Sequence, residues 1–261
     1  MNPKLMGIVN VTPDSFSDGG LFLDAEAAVA HGRELAEQGA AILDVGGEST
    51  RPGAEEVSVE EELARVVPVV RGLAGVATVS IDTSKAAVAE AALDAGATVV
   101  NDVTALRHDP EIGGLCAARG AGLVLMHMQG DPRTMQEAPS YDDVVDDVKA
   151  FLAERMEVAL GMGVAEELIW LDPGIGFGKN LDHNLELLRR LGELRQLGQP
   201  LVVGTSRKSF IGKIDGSAVE DRLGGTIASS VLAAIEGADV LRVHDVAEAA
   251  QATRVASAIL G

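Results

Sequence analysis

The chain has 261 residues, of which 47% are hydrophobic, and its formal net charge is -19 at pH 7. This length and apolar content suit one large α/β domain or two small ones with a sizeable core, and the acidic balance argues against a nucleic-acid partner, whose phosphates would be repelled. One cysteine (Cys116), no secretory leader pattern and no apolar run of about 18 residues predict a cytoplasmic protein without a membrane span or an internal disulfide.

Short apolar runs alternate with longer amphipathic stretches along the whole sequence, and no linker-like segment separates them. The short runs cover residues 5–11, 41–47, 78–84, 98–103, 123–128, 168–174, 200–206 and 240–246. Each is rich in Leu or β-branched residues, as is typical of a buried parallel strand. The stretches 24–39, 58–74 and 141–163 have helical patterns. Glycines stand where several helices would end, at Gly39, Gly96, Gly120 and Gly237.

The number and length of these units predict the fold class. Eight strand–helix units in about 260 residues match a single (β/α)8 TIM barrel, an α/β fold in one domain over residues 1–261 with the active site at the C-terminal ends of the strands. A doubly wound open sheet of eight strands is the alternative. That fold normally carries a glycine-rich phosphate-binding turn after its first strand, and the sequence has none there.

Polar residues end seven of the eight predicted strands. They are Asn10, Asp44, Asp82, Asn101, Asp102, His127, Asp172, Arg242 and His244. In a barrel these strand ends meet on one face, so the pattern predicts a polar binding cup there. A helix N-cap is the alternative for Asp44 and Asp102, and for Asp82 a cap and a ligand contact are equally compatible with the position.

Strand alternation adds a prediction for the last strand. Arg242 and His244 are two residues apart, so they share a face while Val243 points away. Such a pair is a compact cationic group suited to an anion. The alternative for Arg242 is a buried ion pair with a neighbouring carboxylate.

Two loops rich in small residues, 46–53 (GGESTRPG) and 204–212 (GTSRKSFIG), add donors for an anion through backbone amides and hydroxyls. Their charged donors are Arg51, Arg207 and Lys208. Together with Arg242 the loops outline a phosphate-sized cationic patch that Asn10 would face. The sequence shows no zinc-ligand spacing and no Ser-His-Asp arrangement, so the residues alone predict a polar planar substrate with a phosphate, and transfer or lyase chemistry.

These motifs resemble those of the dihydropteroate synthase family, the folate-pathway enzymes that sulfonamides target. The resemblance covers essentially the whole chain and rests, in this order, on GIVNVTPDSFSDGG, DVGGESTRPG, SIDTSK, NDVTA, LMHMQG, DPGIGFGK, GTSRKSFIG and RVHDV. It implies the condensation of (7,8-dihydropterin-6-yl)methyl diphosphate with 4-aminobenzoate to 7,8-dihydropteroate and diphosphate, with Mg2+ as cofactor. A dissociative substitution and a homodimer are also expected.

The resemblance assigns roles to individual residues. The pterin pocket would be formed by Asp82, Asn101, Met126, Asp172, Lys208 and Arg242, with Phe177 as a further substrate-binding residue, and the diphosphate would meet Asn10, Thr50, Arg51, Arg242 and His244. Asn10 would help to hold Mg2+, and Ser209 would bind the carboxylate of 4-aminobenzoate. The loop around Phe16 and Asp18 would close over the site, helped by residues 49–52. The catalytic residues would be Asp18, Lys208, Arg242 and His244.

Two rival functions use the same scaffold. A pterin-binding barrel that transfers a methyl group from methyltetrahydrofolate would keep the pterin carboxylates but would not need Thr50, Arg51 and His244 around a diphosphate. A catalytically silent pterin-binding paralogue would usually lack a loop residue, and none is missing here. All three interpretations expect small-molecule ligands and no nucleic-acid or membrane partner.

Overall fold

The computed structural model describes residues 2–11, 20–49, 57–130 and 134–261, and of residues 20–24 it describes the backbone only. Within these ranges eight strands are formed: β1 (Lys4–Asn10), β2 (Ile42–Gly46), β3 (Thr78–Asp82), β4 (Val99–Asp102), β5 (Gly122–Met126), β6 (Ile169–Asp172), β7 (Val202–Val203) and β8 (Val240–Val243). Every strand overlaps one of the predicted runs, although β7 is much shorter than its run.

The strands form one sheet in the order β6-β5-β4-β3-β2-β1-β8-β7, and all neighbouring pairs are parallel. The two ends of that order also meet. Leu171 in β6 forms a parallel bridge with Leu201, and its N–H donates to the Pro200 carbonyl at 2.9 Å. The sheet therefore closes into a barrel. The predicted (β/α)8 barrel is confirmed, and the open-sheet alternative is wrong.

Nine α-helices accompany the strands in the described ranges. They are α1 (Gly20–Gln38), α2 (Val59–Leu73), α3 (Ala86–Ala95), α4 (Glu111–Arg119), α5 (Val144–Gly161), α6 (Leu181–Arg189), α7 (Ser209–Asp215), α8 (Leu223–Ile235) and α9 (Val246–Leu260). The glycines predicted to follow helices do so with positive φ, namely 114° at Gly39, 116° at Gly96, 59° at Gly120 and 101° at Gly237. None of these described helices is long and apolar enough to cross a membrane.

Alternation along the strands separates an outer core from the barrel interior. Outward residues such as Val79 and Ile81 belong to the core shared with the helices. The interior near the N-terminal ends of the strands is filled by an apolar layer of Met6, Ile42, Val99, Val124, Val202 and Val240, with Trp170 packed against it. Residues further along the same strands therefore stand above an apolar floor.

Candidate active site

In each of five strands, one residue belongs to the apolar floor, and the residue two positions later belongs to the cup. The pairs are Ile42 and Asp44, Val99 and Asn101, Val124 and Met126, Trp170 and Asp172, and Val240 and Arg242. A spacing of two keeps a side chain on the same face of a strand, so these residues point into the barrel. Asp44, Asn101, Met126 and Asp172 are buried, whereas the Arg242 side chain is 22% exposed. The structure thus brings four of the nine predicted polar residues together in one layer with Met126.

Arg242 bridges two buried carboxylates in this layer. Its Nε donates to Asp44 Oδ2 at 2.6 Å, and its Nη2 donates to Asp82 Oδ2 at 2.7 Å. Burial lowers the pKa of Arg242, but the two carboxylates raise it more, so the guanidinium stays charged. The ion pair that the sequence offered as an alternative is therefore formed. The N-cap interpretation of Asp44 is wrong, because this fully buried carboxylate lies inside β2 and also accepts from Asn101 Nδ2 at 3.1 Å.

Several buried polar atoms of the cup have no hydrogen-bond partner in the described part of the chain. They are Asp44 Oδ1, Ser80 Oγ and Asp82 Oδ1. Burial raises the pKa of Asp82 to about 7, and Arg242 acts in the opposite direction. Because a buried acceptor without a partner is costly, these atoms favour a ligand or an ordered water that supplies donors.

Asp172 ends β6 with one carboxylate oxygen held and the other available. Oδ1 accepts from the Gly174 N–H at 2.7 Å, whereas Oδ2 accepts from no described residue. Burial raises the pKa of Asp172, and the Gly174 hydrogen bond, Lys208 and Arg242 oppose this shift. Glycine suits position 174 because its φ is +66° and a Cβ there would lie 1.9 Å from the His127 carbonyl oxygen. The carboxylate is thus oriented before a ligand arrives.

Lys208 is the second cation of the cup. Its Nζ lies 3.9 Å from the centroid of the Phe177 ring and forms no hydrogen bond or ion pair with a described residue. Burial lowers the pKa of Lys208 to about 8, and Asp172 acts against the shift. Phe177 packs on an apolar cluster of Val103, Met126, Met128 and Met135. The cup therefore offers an apolar wall beside charged groups, which suits a planar polar ring.

The other polar residues after β7 and β8 have partners of their own. Ser206 Oγ lies 2.9 Å from His244 Nδ1. The Arg207 guanidinium donates to both carboxylate oxygens of Asp245, so Arg207 is not a free member of the predicted cationic patch. Ser209 is the exposed first residue of α7. Within the described cup, the positive charge comes from Lys208 and Arg242.

Asn10 ends β1 and is the candidate ligand of a metal ion. Its half-buried side chain forms no hydrogen bond with a described residue, so its amide oxygen is available. The described residues contain no group of three or more His, Cys, Asp or Glu side chains placed to hold a metal ion. Mg2+ commonly binds through one or two protein oxygens and completes its shell with waters and substrate phosphates. Asn10 fits that kind of shared coordination.

Five predicted residues lie outside the described residues: Phe16, Asp18, Thr50, Arg51 and Pro52. Three of them lie in the segment 50–56, and the structure describes the residues on both sides of that segment. Lys85 Nζ donates to Glu48 Oε2 at 2.5 Å, before this loop, and to the Val57 carbonyl oxygen at 2.7 Å, after it. It also donates to the buried Glu62 at 2.6 Å. Both sides of segment 50–56 are therefore attached to one buried lysine that follows β3.

Two of the strand-end residues do not lie in the cup. Met126 takes the inward position of β5, so His127 points outward, and its ring packs edge-on against Phe151 with centroids 4.8 Å apart. In β4, Asn101 takes the inward position, so the next residue, Asp102, points outward. It accepts from the N–H groups of Thr104 at 2.8 Å and Leu106 at 2.6 Å, so it caps the turn after β4 rather than a helix.

The alternation of side-chain direction along a strand is the sequence signal that distinguishes these two residues from the residues that point into the barrel. No sequence motif assigns a role to Lys179, which is almost completely buried behind the cup. Lys179 lies in a loop, where no alternation predicts its direction. Its position depends on how the connection after β6 folds over the end of β5.

Known proteins of similar sequence and structure carry consistent names. A family model described as pterin binding enzyme matches residues 6–244. The dihydropteroate synthase of Escherichia coli (strain K12) is 51% identical over 263 residues, which cover 99% of this chain and 92% of that protein. The Xanthomonas albilineans dihydropteroate synthase with 4-aminobenzoic acid has a TM-score of 0.93 and 49% identity, over 99% of this chain and 93% of that one, and it has also been solved with 7,8-dihydropteroate. The Yersinia pestis dihydropteroate synthase, solved with a sulfonamide drug complex, has a TM-score of 0.93 and 46% identity, over 99% and 94%.

Proposed function

This chain belongs to the pterin-binding enzymes, and within them to the dihydropteroate synthases, and we propose that it condenses (7,8-dihydropterin-6-yl)methyl diphosphate with 4-aminobenzoate to give 7,8-dihydropteroate and diphosphate. The observation that carries this proposal is the cup above the apolar floor. Asp82, Asn101 and Asp172 at the ends of β3, β4 and β6 and Lys208 after β7 present acceptors and a cation to a flat ring. The Xanthomonas albilineans relative, solved with 4-aminobenzoic acid and with 7,8-dihydropteroate, supports both halves of the reaction.

The pterin ring carries amino and N–H groups that need acceptors. Asp172 Oδ2 is available for them, and Asp82 Oδ1 is a second buried acceptor without a described partner. Lys208 would donate to the carbonyl and nitrogen edge of the ring, and Arg242 would stack on its face. Because Gly174 already holds Asp172, little further ordering is required on binding.

A dissociative substitution suits both the leaving group and the nucleophile. If the C–O bond breaks first, its electron pair leaves with the diphosphate, and the pterin-methyl cation spreads its charge over the ring. The aniline nitrogen of 4-aminobenzoate then bonds to the methylene carbon and loses a proton to solvent. Cationic side chains such as Arg242 stabilise the departing anion more strongly than the intact substrate, which lowers the barrier. A reactive cation also compensates for the weak aniline nucleophile.

Mg2+ is the proposed cofactor, and Asn10 would hold it together with diphosphate oxygens. When bound, the ion would neutralise negative charge on the diphosphate. This chain would contribute the Asn10 amide oxygen to the ion, while Thr50, Arg51, Arg242 and His244 would contact the diphosphate directly.

One assay distinguishes the synthase from its two rivals. The protein is incubated with the pterin diphosphate, 4-aminobenzoate and Mg2+, and 7,8-dihydropteroate is quantified by chromatography. A synthase forms product and an equal amount of diphosphate, whereas a silent paralogue binds the pterin without forming product. A methyltransferase also forms none. In a parallel incubation with methyltetrahydrofolate and a methyl acceptor it would transfer the methyl group, whereas the synthase would not. With EDTA, product formation should stop, and added Mg2+ should restore it.

Asp18→Asn should lower kcat by about tenfold or more and leave the affinity for the pterin diphosphate nearly unchanged. By the family resemblance, Asp18 would lie on a loop that excludes water from a cation that water would quench. Its charge would face the pterin as the C–O bond breaks, so the charge matters most in the transition state. Steady-state kinetics and calorimetry measure the two quantities. If binding is lost and kcat is kept, Asp18 is an ordinary substrate contact.

A homodimer is proposed from the apolar residues left exposed near the C-terminal end of the chain. Among the residues whose side chains are described, eight of the ten exposed large apolar ones fall between residues 214 and 260. They include Leu232 and Ile235 on α8, which are 60% and 48% exposed, and Val255 and Ile259 on α9, which are 55% and 77% exposed. The members of each pair share one helix face, and such a concentration of apolar surface is typical of a protein interface.

The double substitution Leu232→Glu and Ile235→Glu should convert the dimer to a folded monomer. Two buried carboxylates on each side of the interface would be unpaired and would repel one another. Sedimentation velocity at micromolar concentration measures the change. Val76→Glu is the matched control, because Val76 is 41% exposed but lies outside this patch. A wild-type protein that sediments as a monomer would contradict the homodimer.

A cytoplasmic location completes the proposal. The single cysteine, Cys116, is buried, and burial raises the pKa of its thiol to about 12. A buried neutral thiol is unreactive, and a chain without disulfides suits a reducing compartment.

A further inference from the structure

A buried lysine in the connection between β6 and α6 has no role in the reaction described above. Lys179 is 1% exposed. Its Nζ donates to the Gly174 carbonyl at 2.9 Å and to the Phe177 carbonyl at 3.0 Å, and it lies 2.8 Å from His127 Nδ1. All three N–H groups of the ammonium are thereby used. Within the described residues, none of its partners is a carboxylate.

His127 is suited to be the third acceptor. Burial lowers the pKa of His127 to about 2, and the charges of Lys179 and Arg107 act in the same direction. The imidazole is therefore neutral at physiological pH, and the tautomer with its proton on Nε2 presents the Nδ1 lone pair to the Lys179 ammonium. Burial also lowers the pKa of Lys179, while Asp172 opposes that shift. A neutral acceptor satisfies the ammonium without cancelling its charge, which still acts on Asp172.

The connection that Lys179 holds carries two parts of the pocket. Gly174 donates its N–H to Asp172, and Phe177 places its ring 3.9 Å from Lys208 Nζ. Lys179 binds the carbonyl groups of these same two residues. Other side chains hold their neighbours: Gln136 donates to the Gly176 carbonyl and Tyr141 to the Gly178 carbonyl, each at 2.6 Å. Of these donors, Lys179 is the one attached to both residues that shape the pocket.

We propose that Lys179 is a positioning residue for pterin recognition, acting through Gly174 on the Asp172 carboxylate and through Phe177 on Lys208. This inference rests on the proposed function, because it assigns the pocket to a pterin. Without the ammonium, two carbonyl groups and His127 Nδ1 would be buried without a donor, so the connection would move to find new partners. A displacement of about 1 Å is enough to weaken an oriented contact strongly.

Lys179→Met tests this role, because Met has a similar length and supplies no donor. Calorimetry with a pterin that lacks the diphosphate should show binding about tenfold weaker than in the wild type. The same substitution in an Asp172→Asn background should weaken binding by clearly less than about tenfold, because the route through Asp172 is already lost and only the route through Phe177 and Lys208 remains. Leu187→Ala is the matched control, since Leu187 is a fully buried residue of α6 without a polar contact. It should lower the melting temperature and leave pterin affinity unchanged.

The outcomes separate positioning from stability. Unchanged affinity in Lys179→Met, equal losses in both backgrounds, or the same loss in Leu187→Ala would each overturn the inference. If Lys179→Met does not fold, Lys179→Gln keeps an amide donor for part of the site and should show a smaller loss that again depends on Asp172. A wild-type protein that binds no pterin would overturn the proposed function as well. Wild-type binding with an unaffected Lys179→Met variant would overturn this inference alone.

Discussion

Arg242→Lys is expected to lower kcat/KM for the pterin diphosphate by about 10²- to 10³-fold while the barrel stays folded. The guanidinium is held by Asp44 through Nε at 2.6 Å and by Asp82 through Nη2 at 2.7 Å, and these two bonds fix its plane. A lysine keeps the charge, but its ammonium is a compact point that cannot span both carboxylates and present a flat face. The proposed diphosphate contact and the ring stacking would both be lost.

The same change affects stability, so kinetics and thermal unfolding have to be measured together. Removing one partner of a buried ion pair lowers the free energy of unfolding by about 3–5 kcal/mol. Arg242→Lys retains the positive charge, so its loss of stability should be smaller than that. A modest fall in melting temperature with a large fall in kcat/KM is therefore expected. A variant with wild-type kinetics would contradict a role in catalysis. A variant that simply unfolds would show that Arg242 serves the barrel and would leave the diphosphate contact unsupported.

Arg195→Lys is the matched control for this experiment. Arg195 Nη1 donates to Asp239 Oδ2 at 3.2 Å, next to the start of β8 and thus at the opposite end of the barrel. The Arg195 side chain is 51% exposed, so its ion pair contributes little to stability. Arg195→Lys should therefore change neither kcat/KM nor the melting temperature measurably.

The fold could be predicted from the sequence because each strand repeats the same local pattern. Short apolar runs followed by polar residues recur with helical stretches between them, and this repetition is what a barrel requires. The seventh run differs from the others because no polar residue ends its strand and a polar loop follows instead. It forms only Val202–Val203 as a strand, and closure depends on the bridge between Leu171 and Leu201. Such closure is set by the stagger of the whole sheet, which no single segment encodes.

The pairing of charges inside the cup could not be predicted from local patterns. Arg242 and Asp44 are 198 positions apart, and which carboxylate meets the guanidinium depends on strand order, twist and side-chain rotamers. The sequence offered an ion pair only as an alternative for Arg242 and a cap for Asp44. The alternation of side-chain direction along a strand, by contrast, can be read from neighbouring residues. Applied to Met126 and His127, it assigns the inward position to one of them and removes the other from the cup.

Asp172→Asn is expected to weaken pterin binding at least tenfold, with a loss of roughly 1–3 kcal/mol or more for the mismatched buried group. The geometry around Gly174 decides which way the new amide turns. Its oxygen should keep the hydrogen bond from the Gly174 N–H, which Asp172 Oδ1 accepts at 2.7 Å in the wild type. The NH2 group then replaces Oδ2 and faces the amino and ring N–H groups of the pterin, so donors meet donors.

Calorimetry with a pterin that lacks the diphosphate isolates this contact from Arg242 and His244. Burial raises the pKa of Asp172, so wild-type affinity should fall as the pH drops through that raised value. Asp172→Asn should remove this part of the pH dependence and leave the part that comes from Asp82, whose pKa burial raises to about 7. Asp239→Asn is the matched control, because Asp239 also accepts a backbone N–H, from Leu201 at 2.9 Å, but at the opposite end of the barrel. Its pterin affinity should equal that of the wild type. If Asp172→Asn binds the pterin as tightly as Asp239→Asn does, and with the same pH profile, then the carboxylate at the end of β6 does not recognise the ring.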